Sequence, residues 1–333
     1  MIVKRFAKTV AVCGSAVLIS SGLIPPAKAM TPTVTEPQTI DLGATSFFDG
    51  IGGNGLTYIG YLRFSNGNSI KDASGNTIPA FQNPSIQTTT FISQFVYQFA
   101  NPKILGAHPG LDLLIPVVNT NSKFSPYGAA LDSNGAGLSD VLVGAFLQWD
   151  PMVNAAGAVW SNRFELIANL PVGRYDARKD INPGSNFYSL NPNWASTLLF
   201  ARGWEASWRL NYLYNFSNHD PSGSAPLDLE GAPVSATKAG QAIWLNFALS
   251  YEVVPNVHVG ANGYYLKQIT DDQVNGVAQK NTRERVLGIG PGVMWRAGQK
   301  AVLYLNAYTE TAVQNRTRNN FLVQAHWVYT FGK

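Results

Sequence analysis

The residues able to do chemistry in this chain are few and scattered. His108, His219, His258 and His326 stand far apart, with no H-x-x-x-H or His/Cys spacing. Transition-metal sites draw imidazole and thiolate ligands from such short spacings, so neither a metal nor a cofactor is expected. A serine hydrolase would need a serine, a histidine and an orienting group assembled together. Ser250 and His258 flank one short turn, but no G-x-S-x-G is present and the strand register turns both inward. No catalytic residue is assigned, and an enzyme is not expected. Gly288-Ile289-Gly290-Pro291-Gly292 looks superficially like a nucleotide loop. It lacks the third-glycine spacing and a following helix, and small residues on one side of a strand explain it better. Asp271-Asp272, with Asp176 and Asp180, could hold divalent cations, although acids of this kind are ordinarily only solvated.

The remaining polar residues recur at every second position, and this spacing defines the elements that carry them. From Phe321 to Phe331 the chain alternates without a break: Phe321, Val323, Ala325, Trp327, Tyr329 and Phe331 against Leu322, Gln324, His326, Val328 and Thr330. Successive strand side chains point to opposite faces, so one face is wholly apolar and ends in aromatics. Trp204 to Phe216 repeats the pattern, with Glu205, Arg209 and Asn211 opposite Trp204, Trp208 and Leu210. About twelve such segments are expected, near 56–66, 87–99, 110–119, 138–149, 158–170, 186–199, 203–216, 240–252, 256–268, 284–296, 300–310 and 320–331. Each is near the length that crosses a bilayer at a tilt. The third reads weakest, because Leu113 to Val118 is a continuous apolar run containing Pro116, which removes a ladder donor.

Composition and the N-terminus say where such strands belong. Lys4, Arg5 and Lys8, an apolar stretch to Ile24, and Ala27-Lys28-Ala29 make a secretory signal peptide over 1–29, with Ala27 and Ala29 forming the cleavage pattern. Of 24 basic and 20 acidic residues, only Lys4, Arg5, Lys8 and Lys28 lie in it, leaving 20 of each. The mature chain then has no net charge, and its sequence offers no case for nucleic-acid binding. Its one cysteine, Cys13, leaves with the leader. Only 13% of residues are charged while 45% are hydrophobic, yet no apolar run after the leader reaches the length of a membrane helix. Hydrophobicity dispersed along alternating strands fits a closed barrel, the sheet that satisfies every backbone group in lipid.

The expected fold is therefore all-β: a transmembrane antiparallel β-barrel over 56–333, in the cell outer membrane, with periplasmic termini and long outer loops. Long connections near 67–86, 120–137, 171–185, 217–239, 269–283 and 311–319 alternate with shorter ones. Twelve strands about 4.8 Å apart give a backbone diameter near 25 Å, and side chains narrow the pathway to roughly 10 Å. If the apolar faces meet lipid, Arg163, Glu165, Glu205, Arg209, Asn211, Asn246, Asn262, Gln268, Gln324 and His326 point into the lumen. They would either set a transverse field there or fill the lumen with paired polar groups. Trp149, Trp160, Trp204, Trp295 and Trp327 suit the aromatic girdles. Residues 30–55 are a periplasmic leader or a short plug; their glycines favour the leader.

Leu170-Pro171-Val172-Gly173-Arg174-Tyr175-Asp176, then Gly184-Ser185-Asn186, resembles an L-P-x-G-x-Y-D signature. Gly263 to Asp272 is similar to its downstream partner motif, and Gly203-Trp204-Glu205 completes the set. Together they resemble the outer-membrane transporter family of the meta-pathway of phenol degradation, over about Gly55 to Phe331. Arg174 stands where that pattern has an acid, and Gly332-Lys333 extend past the aromatic end. The resemblance implies passive uptake of small hydrophobic or aromatic solutes. The partners expected are those solutes, outer-membrane lipid, and the barrel-assembly machinery, with Phe331 as the C-terminal aromatic it reads. The alternatives are a non-transporting surface barrel, adhesive or structural, and a barrel enzyme.

Overall fold

Alternating faces require each strand to find a neighbour on both edges, and the sheet closes to supply them. The computed structural model describes residues 40–331; the signal peptide and Gly332-Lys333 lie outside the described residues. Twelve antiparallel strands form one closed barrel, and no described residue is helical. They are β1 (Gly55–Ile70), β2 (Ser85–Gln98), β3 (Ala107–Lys123), β4 (Gly135–Leu138 continuing as Val141–Trp149), β5 (Val159–Leu170) and β6 (Ser189–Ala201). The second half comprises β7 (Trp204–Asn215), β8 (Ala242–Val254), β9 (Val257–Gln268), β10 (Arg285–Arg296), β11 (Ala301–Gln314) and β12 (Thr317–Thr330). Every strand pairs with the next, and β12 returns to β1 in the register Thr57↔Thr330 to Asn66↔Phe321.

Burial follows the alternation. On β12, Leu322, Gln324 and His326 are buried inward while Phe321 and Tyr329 are exposed outward. The outward face at the short-turn rim carries Tyr97, Phe99, Trp160, Phe200, Trp204, Trp295, Tyr329 and Phe331, all exposed. Amphipathic rings at one level are what a headgroup boundary selects.

Two expectations from the sequence are corrected. Residues 311–319 are no long loop: β11 runs to Gln314, β12 starts at Thr317, and Asn315-Arg316 alone connect them. The polar stretch read as a loop is a hairpin extended beyond the bilayer, with Ala312 and Asn315 in the left-handed region. The weakest strand is in fact the longest, β3. Pro116 costs it little. The Pro116 carbonyl accepts from Ser139 N at 2.9 Å, so its nitrogen side faces the break in β4 between Leu138 and Val141. The donor that proline lacks has no ladder partner to lose there.

The outer connections are knitted together. Thr237–Lys238 of the loop after β7 pairs with Gln273–Val274 of the loop after β9. Ser133 bridges to Ile181, and Phe81, Phe124, Leu131 and Ile181 from three loops pack with Ile70 and Ile86.

Candidate functional site

Residues 40–53 are lodged in the lumen. Asp41 accepts from Trp244 Nε1 at 2.6 Å, and Asn246 Nδ2 donates to the Asp41 carbonyl at 3.0 Å while its Oδ1 accepts from Gly43 N at 3.0 Å. Gln324 Nε2 donates to the carbonyls of Gly43 and Ala44, and Tyr308 Oη to that of Gly43. Ser46 Oγ donates to Asn262 Oδ1 at 2.7 Å. Phe48 N donates to Glu205 Oε1 at 2.9 Å, and Gly50 N to Thr197 Oγ1 at 2.8 Å. The Gly50 carbonyl accepts from Ser161 Oγ and Gln148 Nε2. A Cβ on Gly50 would lie 2.5 Å from the backbone of Ser196 and Thr197, so only glycine fits. The sequence preference for a free leader does not describe these contacts. Glycines that look like slack are the means of close approach to the wall.

The segment's strongest tie is electrostatic. Arg209 Nε and Nη2 clamp both oxygens of Asp49 at 2.9 and 3.0 Å, and Nη1 reaches Glu165 Oε2 at 3.2 Å. Arg209 and Asp49 are both about nine-tenths buried, at 11% side-chain exposure each. A two-pronged, desolvated guanidinium–carboxylate pair is the geometry in which arginine holds best.

Of the ten candidates, nine are buried and Arg209 nearly so, with partners that the sequence did not predict. Arg209 does not bond Glu205; it takes Asp49 and Glu165. Glu205 instead accepts from Ser207, Phe48 N and Ser250. Arg163 donates to Gln148 Oε1 at 3.0 Å and lies 4.2 Å over the Phe146 ring. Asn211 Nδ2 donates to the Arg209 carbonyl. His326 stacks on Tyr304 at 4.0 Å. Gln268 belongs to a separate cluster at the outer rim, where its amide donates to Asp272 and the carbonyl of Thr270. Sequence reasoning missed Asp41, Asp49, Asp112 and Gln94. Tyr61 Oη donates to Gln94 Oε1 at 2.9 Å and Gln94 Nε2 to Asp112 Oδ2 at 2.7 Å. For Asp41 and Asp49 the available signal was two aspartates and an aromatic pair, Phe47-Phe48, inside a glycine-containing stretch.

The glycine run of β10 has a spatial explanation. A Cβ on Gly292 would strike the amides of Asn262 and Asn306, which hold Ser46, and one on Gly288 would enter the Tyr264 ring. The small inward positions make room for the side chains that grip the segment.

Ser250 Oγ and His258 Nδ1 do lie 3.2 Å apart. Both are buried in the lumen, not on the outer wall, and Phe48 packs edge-on against the imidazole at 4.8 Å. The nearby carboxylate, Glu205, bonds the serine rather than orienting the histidine. That inverts the order in which a triad passes its proton.

The acids considered for cations are engaged by the protein itself. Arg283 pairs with Asp271 and Arg178 with Asp176, while Asp180 accepts from Asp132 N. Asp272, in the outer loop after β9, is 1% exposed. Burial, the largest influence, pushes its carboxyl up to about 8, and the nearby Glu284 adds to the rise against hydrogen bonds from Gly240 N and Gln268. A carboxyl whose folded value is raised is stabilising while protonated, fully so below its unfolded value near 4. That contribution is lost as pH climbs through 8. Proteolysis of the 269–284 loop is therefore expected to be faster at pH 9 than at pH 6. Asp272→Asn should flatten the difference; a variant keeping the full pH dependence would refute the assignment.

The motif around Leu170 is a clamp. Asp140, 1% exposed at the break in β4, accepts from Gly173 N at 3.1 Å, Ser185 N at 2.8 Å, Ser185 Oγ and Asn169 Nδ2. A Cβ on Gly173 would lie 2.7 Å from the backbone of Ser139. The signature thus fastens the loop after β5 to the kink of β4.

The segment does not fill the barrel. A cavity of about 600 Å³ borders residues 40–53, with its largest share of wall from β1 to β3 and further lining from β4 to β8 and β10 to β12. Thr57, Ile59 and Ser65 of β1, Thr88, Thr90 and Ile92 of β2, and Leu114 and Pro116 of β3 line it. Arg63 and Asp112 are the charged groups of those strands that reach it.

A closed twelve-strand antiparallel barrel with an aromatic rim, long outer loops and an internal segment defines an outer-membrane β-barrel. Its fold is similar to that of the COG4313 outer membrane channel from Pseudomonas putida F1, at 15% identity and a TM-score of 0.68, covering 89% of this chain and 100% of that one. The β domain of the Bordetella autotransporter BrkA is a weaker likeness, at 12% identity and a TM-score of 0.46 over 84% of this chain and 100% of that one. No curated protein matches the sequence. The family profile described as "Putative MetA-pathway of phenol degradation" matches residues 67–324, and the chain belongs to that family.

Proposed function

We propose that the protein is an outer-membrane channel for small hydrophobic or aromatic compounds, which diffuse passively along the β1–β3 side of the lumen. The observation that carries this reading is the cavity beside residues 40–53, whose β1–β3 wall is largely threonine, isoleucine, leucine and proline, while charged side chains such as Arg163, Arg209 and Arg296 border it elsewhere. Such a wall offers an aromatic ring apolar contact and a hydroxyl-bearing solute hydrogen-bond partners, with the charged groups left to the other sides of the cavity apart from Arg63 and Asp112. Residues 40–53 act as the restriction, held by Glu205, Arg209, Asn246, Asn262 and Gln324, with Arg163 and His326 lining the path beside it. The expected role of Phe331 in barrel insertion belongs to the same proposal.

The filled lumen and the knitted outer loops support a second reading, a surface barrel that transports nothing. Planar-bilayer recording separates the two. The full mature chain should conduct and pass phenol, and deleting residues 40–53 should raise conductance. A deletion variant that folds but remains electrically silent would favour the surface barrel.

A further inference from the structure

The outer wall at the long-loop rim carries a charge arrangement that the lumen does not explain. Lys267 of β9 and Arg285 of β10 are registered partners. Their chain neighbours Leu266, Gln268, Glu284 and Val286 are buried inward, so both cations face outward. Partners directly opposite on adjacent strands hold their side chains about 5 Å apart, where like charges repel. Neither cation appears in any ion pair among the described residues, and Arg285 is engaged only through Nε, which donates to the Ala312 carbonyl at 3.2 Å. The neighbouring carboxylates are committed elsewhere: Asp271 to Arg283 and Glu284 to Arg316.

Height places this pair in the membrane. Val257 opens β9 at the inner rim. Ten steps of about 3.3 Å along a strand tilted about 40° put Lys267 about 25 Å above it, the thickness of the apolar band of an outer-membrane barrel. Below the pair the outward residues are apolar or aromatic: Tyr265, Leu287 and Ile289. Ile243 on β8 flanks Lys267, and Tyr212 flanks Ile243. Two residues along the same strand from Tyr212, the Tyr214 ring carries Lys238 Nζ at 4.5 Å. Two unneutralised cations at the outer edge of an apolar wall, with aromatics beside them, complement an anionic lipid head.

We propose that Lys267 and Arg285 bind a phosphate of outer-leaflet lipopolysaccharide, with the acyl chains lying along Tyr265, Leu287 and Ile289. The guanidinium suits a phosphate because its fork presents parallel N–H donors, and the ammonium adds a point charge. This site rests on the barrel's place in the outer membrane and is independent of what the lumen conducts.

The test uses the folded mature chain in detergent, native mass spectrometry, and two probes: bisphosphorylated lipid A and its dephosphorylated counterpart. The wild type should retain the first and not the second. Lys267→Gln with Arg285→Gln should weaken retention by about tenfold, a conservative figure for two cations at a charged lipid surface. Lys300→Gln, an exposed change at the opposite rim, should leave it intact. Should the double variant not fold, Lys267→Gln alone, at an exposed position, should still weaken retention severalfold. Equal retention by the folded variants, or equal retention of the dephosphorylated lipid, would overturn the site.

Discussion

Replacing Arg209 with alanine is expected to turn a restricted barrel into one of severalfold higher conductance. Arg209 holds Asp49 by two bonds and Glu165 by a third, all well buried. Removing the guanidinium leaves two carboxylates facing each other without their cation. Losing one partner of a buried ion pair costs roughly 3–5 kcal/mol, whereas each neutral hydrogen bond along the segment contributes about 1. The 47–50 stretch should therefore leave the wall, even though Asn246, Gln324 and Asn262 still hold the residues before it. Asp49→Asn should have a smaller effect, because Arg209 keeps Glu165. Single-channel recording of the three proteins checks the order. If Arg209→Ala conducts like the wild type while deletion of residues 40–53 conducts more, the salt bridge is not what holds the restriction.

The second large effect is expected at Asp140→Ala. Four donors converge on this buried carboxylate from the loop after β5 and from Asn169. Their loss strands polar groups in a site closed to water, and we expect a destabilisation of about 3 kcal/mol. The damage should be local. Protease sensitivity should rise in 171–188, and the urea midpoint of the folded barrel should fall. Asp140→Asn should fall between the two, since it keeps one acceptor. Unchanged loop protection in Asp140→Ala would show that the signature is held by its backbone bonds alone.

The barrel was legible because lipid imposes a rule that the chain must write residue by residue. Where the lumen is polar, as on β7 and β12, inward Glu205, Arg209 and Gln324 stand out against outward tryptophans. The rule fades where the inner face is itself apolar. On β3 the inward positions are Asp112, Leu114, Pro116, Val118 and Thr120, so both faces read as hydrophobic and the alternation disappears. The strand hardest to read thus lines the open part of the lumen. The segment at 40–53 was obscure for a different reason. It has no periodicity, and its structure is dictated by side chains far along the chain, such as Asn246 and Gln324, whose convergence only the closed barrel creates. Pairings within the lumen were equally hidden: inward position predicts that Arg209 and Glu205 share a space, but not that Arg209 is taken by Asp49.

The dispersal of those partners bears on the order in which the molecule is made. Residues 40–53 are gripped by Arg63 of β1, Gln148 of β4, Ser161 of β5, Thr197 of β6, Arg209 of β7, Asn246 of β8, Asn262 of β9, Tyr308 of β11 and Gln324 of β12. No hairpin or half-barrel carries the whole set: β4 to β9 hold six of the nine groups, and Arg63, Tyr308 and Gln324 come from β1, β11 and β12. Although it precedes every strand in synthesis, its native bonds can form as a set only after β12 has met β1. The first described stretch of the chain is in this sense the last to fold, and its docking marks a barrel whose seam has closed.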